Sequence, residues 1–219
     1  LLEETRRRCC ELADSFRMGN AIKNGVPVAI VGAPNSGKST LLNALVKDDR
    51  AIVSDIPGTT RDTIEETCVL GGILFRFIDT AGIRESSDKI EKMGIERSFS
   101  KLREASVVIG LTDGTLPSRE VMEQISTIAD HMDFETQKLI IVVNKNDEKD
   151  AEETLNKNVS ELNSFVISSD SLKSNTSILS ISAKKRSGIE KLEKALVETC
   201  HISDSEEILV TNARHAKAL

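Results

Sequence analysis

Residues 26–46 read Val26-Pro27-Val28-Ala29-Ile30-Val31, then Gly32-Ala33-Pro34-Asn35-Ser36-Gly37-Lys38-Ser39, then Thr40-Leu41-Leu42-Asn43-Ala44-Leu45-Val46. The middle eight residues match GxxxxGK[ST], a pattern that carries meaning only between a strand and a helix. Both flanks comply. Residues 26–31 form a nearly continuous apolar run, as expected of a parallel strand buried on both faces, and residues 39–46 have helical character. The loop glycines allow a tight curl in which backbone N–H groups face phosphate oxygens at the positive end of the helix dipole. Asn35, Ser36, Gly37, Lys38, Ser39 and Thr40 are therefore the expected phosphate cradle. In it Lys38 would neutralise the β- and γ-phosphates and Ser39 would bind Mg²⁺.

Outward from this loop, apolar runs recur at residues 107–111, 139–143 and 178–181, alternating with helical stretches at 89–102, 118–132 and 189–200. That alternation predicts an α/β, doubly wound, mostly parallel sheet of the P-loop NTPase type. Residues 67–70 and 73–78 flank Gly71-Gly72, a hairpin signature that adds one antiparallel edge strand. Leu2, Cys9, Leu12 and Phe16 stand at helical spacing ahead of Asn24-Gly25, and Ser203-x-x-Glu206 is a capping box for a helix running into residues 213–219. The expected organisation is a helical segment 1–24 entering the domain, a nucleotide-binding domain 25–200, and a segment 201–219 leaving it. Residues 148–176, rich in Ser, Asn, Asp, Glu and Lys, are expected to form a short exposed helix and a mobile loop.

The 219 residues favour one domain with appendages. No apolar run approaches the roughly 18–20 residues of a membrane span, and Arg6, Arg7 and Arg8 are followed by no signal-like apolar region. Cys9, Cys10, Cys68 and Cys200 show no CxxC spacing, which disfavours a disulfide scaffold or a zinc site and fits a reducing cytoplasm. The net charge of −6 argues against wrapping nucleic acid through bulk charge. A chain opening at Leu1 reads as a segment of a longer one.

Three further tetrapeptide-scale signals follow strands. Asp79-Thr80-Ala81-Gly82 follows the run 73–78, so Asp79 stands where a carboxylate holds Mg²⁺ through water and Gly82 can offer its N–H to a γ-phosphate. Asn144-Lys145-Asn146-Asp147 follows the run 139–143. A carboxylate at Asp147 accepts from the N1–H and N2–H₂ of guanine, a donor pair that adenine lacks, while the Lys145 stem would cover the base. Ser182-Ala183-Lys184 follows the last run and would present a backbone N–H to the guanine O6. Between the P-loop helix and the hairpin lies Gly58-Thr59-Thr60-Arg61-Asp62, where Thr59 and Thr60 belong to the nucleotide site and Thr60 is the better Mg²⁺ ligand.

Taken in order, GAPNSGKS, DIPGTTRDT, DTAGIRESSDKIEKMGIERS, NKND and SAK resemble the five guanine-nucleotide motifs of the translation-factor-related GTPases, and specifically of the tRNA-modification GTPases of the MnmE (TrmE) family. The flanks LADSFRMGNAIKNG and EILVTNARHAKAL resemble the segments entering and leaving that family's G domain. The resemblance implies a Ras-like G domain that hydrolyses GTP to GDP with Mg²⁺ and K⁺ in the cytoplasm. It further implies a homodimer through the G domains in the transition state. In the full-length protein it implies work with tRNA and an FAD-dependent partner of the MnmG (GidA) type, away from any membrane. Its folate-binding domain, helical domain and cysteine-containing tail are not in these 219 residues.

Ile83 departs from Ras-like logic, since the glutamine that orients water in Ras-like proteins is replaced by a side chain unable to hydrogen-bond. The resemblance supplies substitutes: K⁺ held by Asn35 and the backbone carbonyls around Ser54 and Ile56, and Glu91 as the water-polarising carboxylate. On the residues alone, Glu91 between Lys89 and Lys92 is an ordinary helix-surface acid. Two other functions stay open at this level, a slow GTP-regulated binding switch and an Era/Der-type ribosome-assembly GTPase.

Overall fold

The computed structural model describes residue 4 and residues 25–48, 66–78, 102–148 and 151–201. Within them, β1 (Val26–Val31), β2 (Glu66–Leu70), β3 (Ile73–Ile78), β4 (Val107–Asp113), β5 (Lys138–Asn144) and β6 (Thr176–Ser180) pair as one sheet in the order β2-β3-β1-β4-β5-β6. β1 runs parallel to β3 and β4, β4 to β5 and β5 to β6. Only β2 is antiparallel, joined to β3 at the sheet's edge. The connection is the Gly71-Gly72 turn, with φ of +57° and +82°. Two successive positive φ values are what a hairpin turn matched to strand twist requires, and glycine adopts them without steric cost.

Five helices cover the sheet among the described residues: α1 (Lys38–Asp48), α2 (Ser118–Ala129), α3 (Glu152–Ile167), α4 (Asp170–Asn175) and α5 (Ile189–His201). Strand side chains alternate between faces, and the two faces build separate cores. Val28, Ile30, Ile109 and Val142 meet Leu41 and Leu45 of α1 and Leu192 and Leu196 of α5. Ala29, Val108, Ile141 and Val143 meet Val121 and Ile125 of α2 and Leu155 and Leu162 of α3. Each such buried aliphatic side chain contributes about 1.5–3 kcal/mol, enough in sum to fix the register of every inner strand. The doubly wound class, with its single antiparallel edge, is borne out.

The expectation for residues 148–176 is corrected. They hold the 16-residue α3, with Leu155, Asn158, Leu162 and Val166 buried, followed by α4 and the start of β6. The apolar positions recur at helical spacing, but the Ser, Asn and Glu residues between them hide the stripe from a reading by composition. α2 also stops at Ala129 rather than 132, because the N–H groups of His131 and Met132 turn onto Ile128 and Ala129 at 3.1 Å, closing a tighter turn. No helix among the described residues is long and apolar enough to cross a membrane. Cys68 and Cys200 are free thiols. Nearly all of the proposed terminal helices and of the 89–102 stretch, and Ser54, Ile56, Thr59, Thr60, Asp79, Gly82, Ile83 and Glu91, lie outside the described residues.

Candidate nucleotide-binding site

β1 has β3 on one side and β4 on the other, so the chain leaves it first one way and then the other. This is the topological switch point, where open α/β sheets bind ligands beyond the carboxyl ends of their strands. Residues 32–37 occupy it. Strand register brings the other loops to the same edge, since Val31 pairs with Gly110, Asp113 with Asn144, and Val143 with Ser180.

The loop from Gly32 to Gly37 is built as its sequence requires. Gly37 has φ of +101°, and a Cβ there would stand 2.4 Å from the Asn144 Nδ2, so backbone conformation and space both demand glycine. Asn35, exposed, is left-handed at +62°, a conformation asparagine tolerates better than most residues. The Lys38 ammonium donates to the Gly32 and Ala33 carbonyls at 2.8 and 2.7 Å. Partial burial lowers its pKa, since the charged form gives up water there. Ser39 and Thr40 follow in the first turn of α1. Ser36 is 1% exposed, and its Oγ has no hydrogen-bond partner among the described residues.

Asn144 joins the 32–37 loop to the loops that follow β5 and β6. Its buried amide donates through Nδ2 to the Ser36 carbonyl at 2.8 Å and accepts through Oδ1 from the Ala183 N–H at 2.9 Å. The 144–147 segment is tied to β6's exit as well, because the Asn146 N–H donates to the Ile181 carbonyl at 3.0 Å. Lys145 is left-handed at φ +69°, which for a side chain without glycine's freedom costs about 1–2 kcal/mol. Its ammonium pairs with Asp113 Oδ2 at 2.5 Å.

The Asp147 carboxylate accepts from the Ser182 hydroxyl at 2.6 Å. That hydrogen bond is the main reason its pKa lies below the ordinary aspartate range. Ser182 is fully buried, and its own oxygen accepts from the Lys185 N–H at 3.0 Å. The Ser182 N–H is used on Ser187 and the Ala183 N–H on Asn144. Lys184 therefore carries the one N–H of the three without a partner among the described residues.

Two participants escaped the sequence. Asp113 ends β4 just as Asp79 follows β3, but no motif surrounds it. Arg186, left-handed at +59°, donates to the Ala44 carbonyl of α1 at 3.0 Å and so braces the 182–188 loop against the P-loop helix. No sequence signal marks that contact.

A parallel-sheet switch point carrying a GxxxxGKS loop, with Asn-Lys-Asn-Asp and Ser-Ala-Lys loops tied to it, defines a P-loop GTPase domain. The chain belongs to the family described as 50S ribosome-binding GTPase, whose model matches residues 27–145. Over 95% of its length it is 48% identical to the tRNA modification GTPase MnmE of Flavobacterium johnsoniae, and over 100% it is 46% identical to that of Bacteroides thetaiotaomicron. It spans only 43% and 46% of those two relatives' lengths. The motif resemblance is thereby borne out.

Among solved structures, Aquifex aeolicus Era bound to GDP·AlF₄⁻ superposes with a TM-score of 0.58 at 28% identity, covering 79% of this chain and 56% of that one. Elongation factor SelB of Methanococcus maripaludis superposes at 0.60 with 20% identity, covering 84% and 35%, a likeness of fold alone. Identity to the MnmE proteins is far higher than to Era, which leaves the Era/Der alternative unfavoured.

Proposed function

We propose that this chain is the G domain of a tRNA-modification GTPase, hydrolysing GTP with Mg²⁺ and K⁺ through a cycle of G-domain dimerisation. In the full-length protein that cycle would drive modification of the tRNA wobble uridine together with an FAD-dependent partner of the MnmG type in the cytoplasm. The Asn144 amide carries the nucleotide part of this reading. By bonding Ser36 and Ala183 at once, it fixes the spacing between a phosphate loop and a base loop.

Each residue then has a task. Asp147, held by Ser182, accepts from guanine N1–H and N2–H₂, and ATP would leave that carboxylate unpaired. The Lys184 N–H meets O6, and the Lys145 stem covers the ring. Lys38 exchanges its two loop carbonyls for phosphate oxygens, a stronger, charge-assisted partner. The hydroxyls of Ser39 and Thr60 and the carboxylate of Asp79 form an all-oxygen donor set that suits Mg²⁺. The metal, when bound, would neutralise charge between the β- and γ-phosphates. Gly82 and Thr59 serve the phosphates. The exposed, left-handed Asn35, with carbonyls of Ser54 and Ile56, offers neutral oxygens of the kind that suits K⁺. Glu91 orients the attacking water in place of the residue at Ile83.

The test is GTP turnover in K⁺ against Na⁺ buffer, with light scattering in GDP–aluminium fluoride. Faster turnover and a doubled mass in K⁺ are expected. Equal rates and a constant mass would refute the K⁺-dependent cycle.

A further inference from the structure

The Asp113 carboxylate divides its two oxygens between different tasks. Oδ1 accepts from the Thr115 N–H at 3.0 Å and the Thr115 hydroxyl at 2.8 Å, and Oδ2 takes the Lys145 ammonium at 2.5 Å. The turn that fixes Oδ1 is itself anchored from the far side. Asn158 of α3 donates to the Gly114 and Leu116 carbonyls, both at 3.0 Å, and the Gly114 N–H donates to the Asn144 carbonyl at 2.9 Å. Asp113 therefore sits in a cage closed by α3 and β5, with its side chain 15% exposed against 35% for Lys145. Burial alone would raise its pKa, but the hydrogen bonds from Lys145 and Thr115 hold it below the ordinary range.

We propose that Asp113 is a positioning residue for guanine-nucleotide binding: its fixed carboxylate draws the Lys145 ammonium aside, so that the apolar stem of a backbone-strained lysine lies flat as the plate for the base. This rests on reading residues 144–147 as the guanine loop. A lysine has four rotatable bonds and an ammonium that seeks the nearest anion, which in a loaded site would be a phosphate. With the ammonium already paired, the stem loses that freedom before the nucleotide arrives, and less entropy is lost on binding. The Asn158 clamp extends the same support to α3, the helix hidden in the polar 148–176 stretch.

The experiment measures displacement of a fluorescent GDP analogue by GDP from the whole chain. Asp113→Asn is expected to weaken GDP by about five- to thirtyfold, whereas Asp113→Glu, which keeps the charge, recovers most of that loss. Lys145→Met keeps an apolar stem without an ammonium, and on that background Asp113→Asn should cost less than about twofold. A loss of the same size on both backgrounds would overturn the proposal, because Asp113 would then act through the Thr115 turn alone. No loss on the parent background would overturn it equally. Should Asp113→Asn melt below the assay temperature, Thr115→Val carries the same cycle with a milder loss that must also vanish beside Lys145→Met. Asp147→Asn is run in parallel. Its failure to weaken GDP would sink the guanine reading itself, whereas its success beside an inert Asp113→Asn would sink only the positioning role.

Discussion

Asn144→Ala should damage the fold and the site together. The side chain is 3% exposed and satisfies a carbonyl on one loop and an N–H on another, both in buried hydrogen bonds. Truncation strips each group of the partner this amide supplies. A buried polar group left unsatisfied costs about 1–3 kcal/mol, so two such groups together cost about 2–6 kcal/mol. Against a typical domain stability of about 5–15 kcal/mol that is a large share. With a urea slope of about 2 kcal/mol/M, the midpoint should fall by roughly 1–3 M with the slope unchanged. The assay is equilibrium urea unfolding without nucleotide, with Asn43→Ala on the exposed face of α1 as control, expected within about 0.5 kcal/mol of the parent. A midpoint for Asn144→Ala indistinguishable from that control would refute the claim that this amide holds the two loops together.

Other outcomes follow from the same geometry. Ser36→Ala removes a buried hydroxyl with no partner among the described residues and should leave thermal stability unchanged or raise it by about 1 kcal/mol, as a melting curve would show. Because the Ser182 hydroxyl depresses the Asp147 pKa, GDP affinity should hold as pH falls through the ordinary aspartate range and be lost only below it. Ser182→Ala should move that loss to higher pH, read by titrating a fluorescent GDP analogue across pH. Glu91→Ala should lower kcat by roughly ten- to a thousandfold, about 1.4–4 kcal/mol of barrier, with binding intact, and Ile83→Ala far less. Single-turnover assays in K⁺ buffer separate the two, and full activity in the Glu91 variant would return that residue to the surface.

The inner strands were legible because burial on both faces writes itself as unbroken apolar runs, as in residues 107–111 and 139–143, which the structure extends to Asp113 and Asn144. β6 was less so. It lies at the edge, and Thr176, Ser177 and Ser180 dilute its pattern. α3 read as a short exposed helix rather than 16 residues with a buried face, since its buried stripe is thin and includes a polar residue, Asn158. In the site, the motifs named the residues proposed to face a nucleotide but not those behind them. Asn144 read only as the first residue of a nucleotide-binding motif, whereas both ends of its amide are committed to the protein. Asp113 and Arg186 act through partners 32 and 142 positions away, at distances no local pattern encodes.

Nucleotide selectivity tests the central claim most directly. A fluorescent GDP analogue bound to the parent chain should be displaced by GTP but by ATP only at concentrations at least about a hundredfold higher, because adenine leaves Asp147 without its donors. Asp147→Asn replaces an acceptor with a donor opposite N1, and the preference should pass to xanthosine triphosphate. Equal displacement by ATP and GTP in the parent, or an Asp147→Asn variant that still prefers GTP to xanthosine triphosphate, would contradict the assignment of this site to guanine.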